Sequence, residues 1–136
     1  MIRVMRAKLH GLRVTATELN YEGSIALDPE FCKRAGIYPL EFVEVWNKST
    51  GGRLTTYVIL AEPGSRACML NGAAARMAQP GDEVIIFASE YLDAARIGEL
   101  EARVLTFEND NEIDRILTYS VTGSDVEGYG AEVAES

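Results

Sequence analysis

Phe42-Val43-Glu44-Val45-Trp46-Asn47, then Ser49-Thr50-Gly51-Gly52, then Arg53-Leu54-Thr55-Thr56-Tyr57-Val58-Ile59-Leu60-Ala61 is the stretch that decides the fold class. Both flanks are rich in β-branched and aromatic residues, which suit a pleated, half-buried surface. The segment between them is a cluster of turn formers, so 42–61 reads as a β-hairpin. Upstream, Ile2 to His10 alternates well enough for a strand, with Ile2, Val4 and, on a looser fit, Met5 turned inward. Val14 and Thr15 continue extended structure, and Ser24 to Leu27 is another short strand. Asp28-Pro29-Glu30 opens a helix: aspartate can cap it, and proline suits the first helical position, where no N–H is missed. Gly36 is a left-handed cap that ends it after about two turns.

Downstream, Ala67 to Leu70 is a strand, and Gly72 to Met77 is a short alanine-rich helical turn closed by Gln79-Pro80-Gly81-Asp82. Val84-Ile85-Ile86-Phe87 is an apolar run of the kind found in strands buried on both faces. Ala102 to Phe107 and Ile113 to Tyr119 pair around Asn109-Asp110-Asn111. Short strands, turn signals every roughly 8–15 residues and two small helices argue for a compact β-barrel, since no long helix separates the strands. Residues 1–120 are expected to form a single domain. Residues 121–136, with Gly123, Gly128, Gly130 and four acids, read as an acidic disordered tail.

The chain has 136 residues, enough for one well-buried core, and an ordinary soluble composition. No apolar run reaches the ~20 residues of a membrane helix, and the N-terminus shows no secretory signal, so the expectation is a cytoplasmic protein without a membrane partner. Cys32 and Cys68 lie 36 positions apart with one histidine in the whole chain, too few ligands for a structural metal site. They read as small buried hydrophobes rather than a disulfide. Net charge is −8, and residues 90–136 hold 12 acids against 3 bases, while residues 1–89 hold 9 acids and 10 bases. Such a chain is a poor nucleic-acid binder. The early basic residues Arg3, Arg6, Lys8 and Arg13 fit a strand with one charged face better than a basic arm.

Residue by residue, the polar candidates are open to ordinary readings. Gly23-Ser24 can be a turn or strand dipeptide, Lys8 a surface strand lysine, Arg53 a solvated hairpin arginine, Tyr57 a barrel-wall aromatic and Asn71 a helix N-cap. Taken together, Lys8-Leu9-His10, Tyr21-Glu22-Gly23-Ser24, Arg53-Leu54-Thr55-Thr56-Tyr57, Asn71-Gly72-Ala73-Ala74-Ala75, Gly81-Asp82-Glu83-Val84-Ile85-Ile86 and Phe107-Glu108-Asn109-Asp110-Asn111 resemble the bacterial aspartate 1-decarboxylase family, in register from Met1 to about Ile116.

That resemblance implies a six-stranded double-psi β-barrel and a proenzyme that cuts its own backbone at Gly23-Ser24 into 1–23 and 24–136. Ser24 would become a covalent pyruvoyl cofactor, with neither metal nor pyridoxal phosphate required. Its ketone would form a Schiff base with L-aspartate, releasing CO2 and β-alanine for pantothenate and coenzyme A synthesis. By the same resemblance, Thr56 assists cleavage and touches substrate, and Tyr57 donates the proton that follows CO2 loss; a phenol is a sensible acid toward a basic carbanion. Arg53 and Lys8 would bind the two carboxylates, a planar guanidinium being well matched to one of them.

Asn71, Gly72, Ala73 and Ala74 would line the substrate site, where small residues at a strand-to-helix junction expose backbone N–H groups. His10, Tyr21 and Trp46 would support it. Adjacent strand residues face opposite sides, so Thr56 and Tyr57 reach one site only where the strand bends or subunits meet. The implied assembly is a homotetramer with shared sites, and some relatives need an acetyltransferase-like maturation factor. The alternatives are the same chemistry on another amino acid, or a barrel that never matures and serves as a binding or assembly module.

Overall fold

Strand β1 (Ile2–Arg13) departs from the alternation its sequence suggests, and the departure shapes the barrel wall. In the computed structural model, which describes residues 1–136, the chain continues through β2 (Ala16–Glu18), β3 (Ser24–Leu27), helix α1 (Pro29–Ala35), β4 (Phe42–Asn47), β5 (Arg53–Leu60), β6 (Cys68–Asn71), a 3₁₀ turn (Gly72–Met77) and β7 (Glu83–Leu92). A second 3₁₀ turn (Ala94–Glu99), β8 (Glu101–Glu108), a third (Asn109–Asn111), β9 (Glu112–Ser124) and β10 (Gly128–Glu135) complete it. Register shifts between Met5 and Ala7 and between His10 and Leu12 interrupt the pairing of β1 with β7, the second at Gly11, whose φ is 88°. Each shift moves the side-chain alternation by one residue. Ala7, Leu9 and Leu12 are therefore the buried residues of β1, whereas Ile2, expected inside, is 39% exposed and Val4 and Met5 are only half-buried.

The strands are ordered β10-β9-β8-β1-β7-β4-β5-β3-β6-β2. β2 follows β1 after Val14 and Thr15, whose N–H groups donate to Asp82 O at 2.9 Å and Cys68 O at 2.8 Å. The far end of the sheet thus returns to the strand it left, giving the mainly-β, barrel-class architecture with few short helices. Its interior is a single cluster in which Leu9, Leu12, Ile25, Leu27, Val43, Val45, Val58, Leu70 and Ile86 are prominent. β7 is not buried on both faces as its apolar run suggested: Val84, Ile86 and Ala88 point inward, while Ile85 and Phe87 are half-buried on the outer face. Pairing with β1 and β4 covers its backbone but leaves that outer face partly open.

α1 forms as its sequence dictates. Asp28 Oδ1 accepts from Glu30 N at 2.9 Å, Pro29 occupies the first turn, and Gly36 adopts φ 78° as the left-handed cap. Arg6 donates to the Gly36 carbonyl and to Glu41, tying that cap to β1, and Phe31 meets Phe107 of β8 edge-on at 4.8 Å. Cys32 and Cys68 are buried free thiols, each pushed up to about 12 by burial, which disfavours the thiolate.

The expectation of a disordered segment beyond residue 120 does not describe this structure. β9 runs to Ser124 and β10 returns antiparallel along it, from Gly128 opposite Ser124 to Glu135 opposite Leu117. Two of the glycines that suggested disorder flank the turn at 125–127: Gly123 and Gly128 have φ of 91° and 86°, and a Cβ on Gly123 would lie 2.0 Å from the Gly128 carbonyl oxygen. β10 is exposed along its whole length, so its backbone ladder, the Tyr129–Asp125 hydrogen bond at 2.8 Å and the Arg115–Glu135 ion pair hold it, not a core.

Asp28 does more than cap. It is 2% exposed, and its Oδ2 accepts from Arg66 N at 2.8 Å, so one carboxylate serves two backbone donors in separate segments. Asp28→Ala should cost about 2–4 kcal/mol, because both N–H groups lose a buried acceptor. Denaturant unfolding of the variant against the parent chain measures it.

Candidate active site

Ser24 opens β3 and is 1% exposed. β3 pairs antiparallel with β6, which puts Ser24 opposite Asn71, and the Asn71 side chain donates from Nδ2 to Ser24 Oγ at 2.9 Å. The serine hydroxyl donates to the Glu22 carbonyl at 3.4 Å, a long contact across the bond that would be cut. Asn71 occupies the N-cap position of the 3₁₀ turn but makes no cap hydrogen bond; its side chain is committed to the serine. Asn71 is fully buried, and its Oδ1 has no donor. Such an acceptor is costly to leave unfilled. The next residue, Gly72, has φ 64° and lies directly under the backbone of Tyr21 and Gly23. Ala74 is buried behind it and Ala73 is exposed, while the Tyr21 ring is 56% exposed on the loop before the bond.

On its other edge β3 runs parallel to β5, with Ile25 opposite Val58. That register, continued one residue back, sets Ser24 level with Tyr57, on strands about 5 Å apart. Tyr57 is half-buried, on the sheet face it shares with Ser24, and stands edge-on to Phe42 at 6.2 Å. Thr56 is 8% exposed and points the other way, into the barrel wall opposite Val43.

Lys8, Trp46 and Arg53 form a separate group on the outer face of β1, β7, β4 and β5. Arg53 lies over the Trp46 ring at 4.0 Å, Trp46 packs on Phe87 at 4.4 Å, and Lys8 Nζ stands 5.5 Å from the Phe87 ring. The two cations therefore flank an aromatic pair, three strand steps or roughly 14 Å apart at the backbone. Neither has a carboxylate within ion-pair distance. Each is held over a ring face instead, which favours a cation while leaving its hydrogen-bond donors free. His10 follows Lys8 on the same face, with Nδ1 buried and unpartnered. Burial first, and the Lys8 charge second, hold its imidazole below the ordinary histidine range.

Within one chain, then, the fold brings Ser24, Gly23, Asn71, Gly72 and the Tyr57 strand position together. It does not bring Lys8, His10, Trp46 or Arg53 to the serine. Two contributors escaped the sequence reading. Phe87 links Lys8 to Trp46 only because the register places it opposite Lys8, which no spacing in the chain reveals. Asn47 is 4% exposed and donates to Met77 O at 3.1 Å and Asp82 Oδ2 at 2.9 Å, while its Oδ1 accepts from Ser49 N and Thr50 N. It thereby ties the turn before Arg53 to the end of the segment that begins at Gly72. Its position at the end of a strand, before a turn cluster, was the available signal. No three His, Cys, Asp or Glu side chains converge as a metal-holding group, and no helix is long and apolar enough to cross a membrane.

The family model described as aspartate decarboxylase matches residues 1–114. Aspartate 1-decarboxylase of Rhodospirillum centenum is 60% identical over 121 residues, covering 89% of this chain and 80% of that protein. The protein of the same name from Xanthobacter autotrophicus is 60% identical over 122 residues, 90% of this chain and 81% of its own length. That of Paramagnetospirillum magneticum is 51% identical over 137 residues, spanning all of this chain and 76% of its own. With five-sixths of its length matched by one family model and most of it shared with these relatives, the chain belongs to the aspartate decarboxylase family.

Proposed function

We propose that the chain is the proenzyme of a pyruvoyl-dependent lyase that cuts itself between Gly23 and Ser24 and then converts L-aspartate to β-alanine and CO2, for pantothenate and coenzyme A synthesis. The observation that carries this reading is the buried Asn71–Ser24 hydrogen bond at 2.9 Å, directly beside the close approach of Gly72 to Gly23. A surface Gly-Ser turn would have neither.

Maturation begins with Ser24 Oγ adding to the Gly23 carbonyl carbon. The C–N bond breaks, the hydroxyl proton passes to the new Ser24 amine, and an ester replaces the amide. Loss of the serine α-proton expels the Gly23 carboxylate, and hydrolysis of the resulting dehydroalanine releases ammonia. An unactivated hydroxyl does this slowly in water, so position must supply the rate. Asn71 orients Oγ, and β3, paired on both edges, prevents the serine from swinging away. The residues present fit a pyruvoyl group at position 24: it would sit in a buried strand with Asn71 on one side and Tyr57 on the other. That group, once formed, supplies a ketone for the substrate amine and a neighbouring amide carbonyl that accepts the electron pair released with CO2.

The chain's own side chains do the rest. Asn71 Oδ1, without a donor, is available to the amine of an amino acid. Tyr57, on Ser24's face, delivers the proton that completes the product. Arg53 and Lys8 bind carboxylate, since both lack an internal counter-ion. They lie away from Ser24 in one chain, which supports a homotetramer whose sites join the Ser24 group of one protomer to the cation group of another. Exposed Tyr38, Leu40 and Phe42, each 69% exposed, provide apolar surface for such assembly. The setting is the cytoplasm, and an acetyltransferase-like factor promotes cleavage where cleavage alone is slow.

The denatured mass of the purified protein tests the proposal: fragments 1–23 and 24–136, the larger lighter by one ammonia than hydrolysis gives, support it. A chain uncut even with lysate would mean a binding module, and turnover across a panel of amino acids tests the substrate.

Ser24→Ala should fold and assemble yet remain one inactive chain; a denaturing gel and gel filtration check both halves. Tyr57→Phe should still cleave but lose most turnover, on the order of 10²-fold or more in kcat, the usual scale of a general acid; β-alanine release measures it. His10 binds fewer protons folded than unfolded below its ordinary pKa of about 6.5. Its contribution to stability is therefore complete above that pH and declines as pH falls below it. Besides Lys8, the charges it senses are Glu83, which opposes the shift, and Lys48, which adds to it. His10→Gln should flatten that part of the stability profile, read as unfolding midpoints across the pH range.

A further inference from the structure

A Cβ built on Gly72 would stand 2.7 Å from Gly23 Cα, 2.7 Å from Gly23 N and 2.8 Å from the Tyr21 carbonyl oxygen. All three are backbone atoms, so nothing there can rotate aside as the tip of a side chain would. Gly23 presents the opposite case: its φ is not in the left-handed region, and a Cβ built on it meets nothing within 4 Å. The glycine that the motif places at the scissile bond is not required there by space. The glycine that space requires is 49 positions later in the sequence.

We propose that Gly72 is a positioning residue for self-cleavage: its bare Cα is the seat on which residues 21–23 rest, and this seat holds the Gly23 carbonyl for the Ser24 hydroxyl. The inference rests on the cleavage reading above. Nucleophile and carbonyl belong to adjacent residues, so their approach is governed by the backbone course of 21–24 and not by side-chain rotation. One dipeptide controls both reactants. Asn71 holds Oγ through its side chain at 2.9 Å, and Gly72 holds the carbonyl-bearing loop through the absence of one. In the step itself the Oγ–C bond forms, the C–N bond breaks, and the hydroxyl proton goes to the Ser24 nitrogen. Displacing the loop by about 1 Å, as a methyl group on Gly72 would, lengthens the attack distance and slows that step. Gly72 touches no reacting atom; it acts through the loop.

The test is the rate of appearance of fragment 24–136 from purified full-length precursor, followed by denatured mass at one temperature and counted per folded molecule. Gly72→Ala should slow cleavage by at least about tenfold. Gly72→Asn carries the same Cβ on a residue that tolerates positive φ, so it separates the contact from the backbone strain and should also be slow. Gly36→Ala is the matched control: φ 78° imposes similar strain, but its Cβ would meet only the Arg6 Nη1 tip at 3.8 Å. It should cleave within about twofold of the parent.

Cleavage of Gly72→Ala and Gly72→Asn at the parental rate would overturn the role. Equal slowing in Gly36→Ala would overturn it too, by assigning the effect to general stability. Failure of both Gly72 variants to fold while Gly36→Ala folds would make Gly72 a residue of the fold and not of the cleavage step. A parent chain that never cuts would remove the cleavage reading and this proposal together, whereas a parent that cuts beside Gly72 variants that cut equally fast removes this proposal alone.

Discussion

The rest of this structure depends on the confinement of β3. Four residues, Ser24 to Leu27, are buried in succession and bonded on both edges, to β5 in parallel and to β6 antiparallel. A serine at the first position of such a strand can neither rotate into solvent nor slip in register without turning Ile25 and Leu27 out of the core. The same two pairings deliver its neighbours: Asn71 is opposite it because β6 ends there, and Tyr57 is level with it because Ile25 meets Val58. The geometry at the scissile bond is thus a by-product of core packing, and the burial of Ile25, Leu27, Val58 and Leu70 stabilises both.

The outer face follows a different logic. Lys8 and Arg53 are cations without carboxylate partners, a costly choice in an interior but a tolerable one over aromatic rings that remain half-exposed. Phe87 and Trp46 fix where these charges sit while leaving their donors free. By contrast Arg6, which ties the α1 cap and Glu41 to β1, uses its guanidinium internally. The division between spent and unspent cations separates groups that hold the barrel from groups available to a ligand. Asn47 joins the two regions: by holding Met77, Asp82 and the turn at 49–50 it sets the start of the Arg53 strand relative to the segment that begins at Gly72.

Local chemistry was readable in the chain wherever a short-range rule applied. Asp28, Pro29 and Gly36 bound a helix because capping and φ preferences act over a few residues. The 42–61 hairpin is legible for the same reason. β1 was misread because its bulges come from pairing with β7, so the inward set shifted from Ile2 and Val4 to Ala7, Leu9 and Leu12. Gly123 and Gly128 were misread because glycine marks flexibility and tight turns alike; only the partner strand distinguishes them. The polar candidates were each open to an ordinary reading, and it was their joint resemblance to a known family that supplied the roles proposed for them.

By itself, then, the sequence determined the bounds of α1, the 42–61 hairpin and the mainly-β class, because propensity, capping and composition are local properties. The tertiary structure alone decided which of the polar groups meet. It placed Asn71 on Ser24 across 47 residues, put Phe87 between Lys8 and Trp46, and made Gly72 a position where close backbone approach leaves no room for a Cβ. Each of these is a contact between segments distant in the chain, set by strand register and close backbone approach, and neither quantity is written in any local stretch of residues.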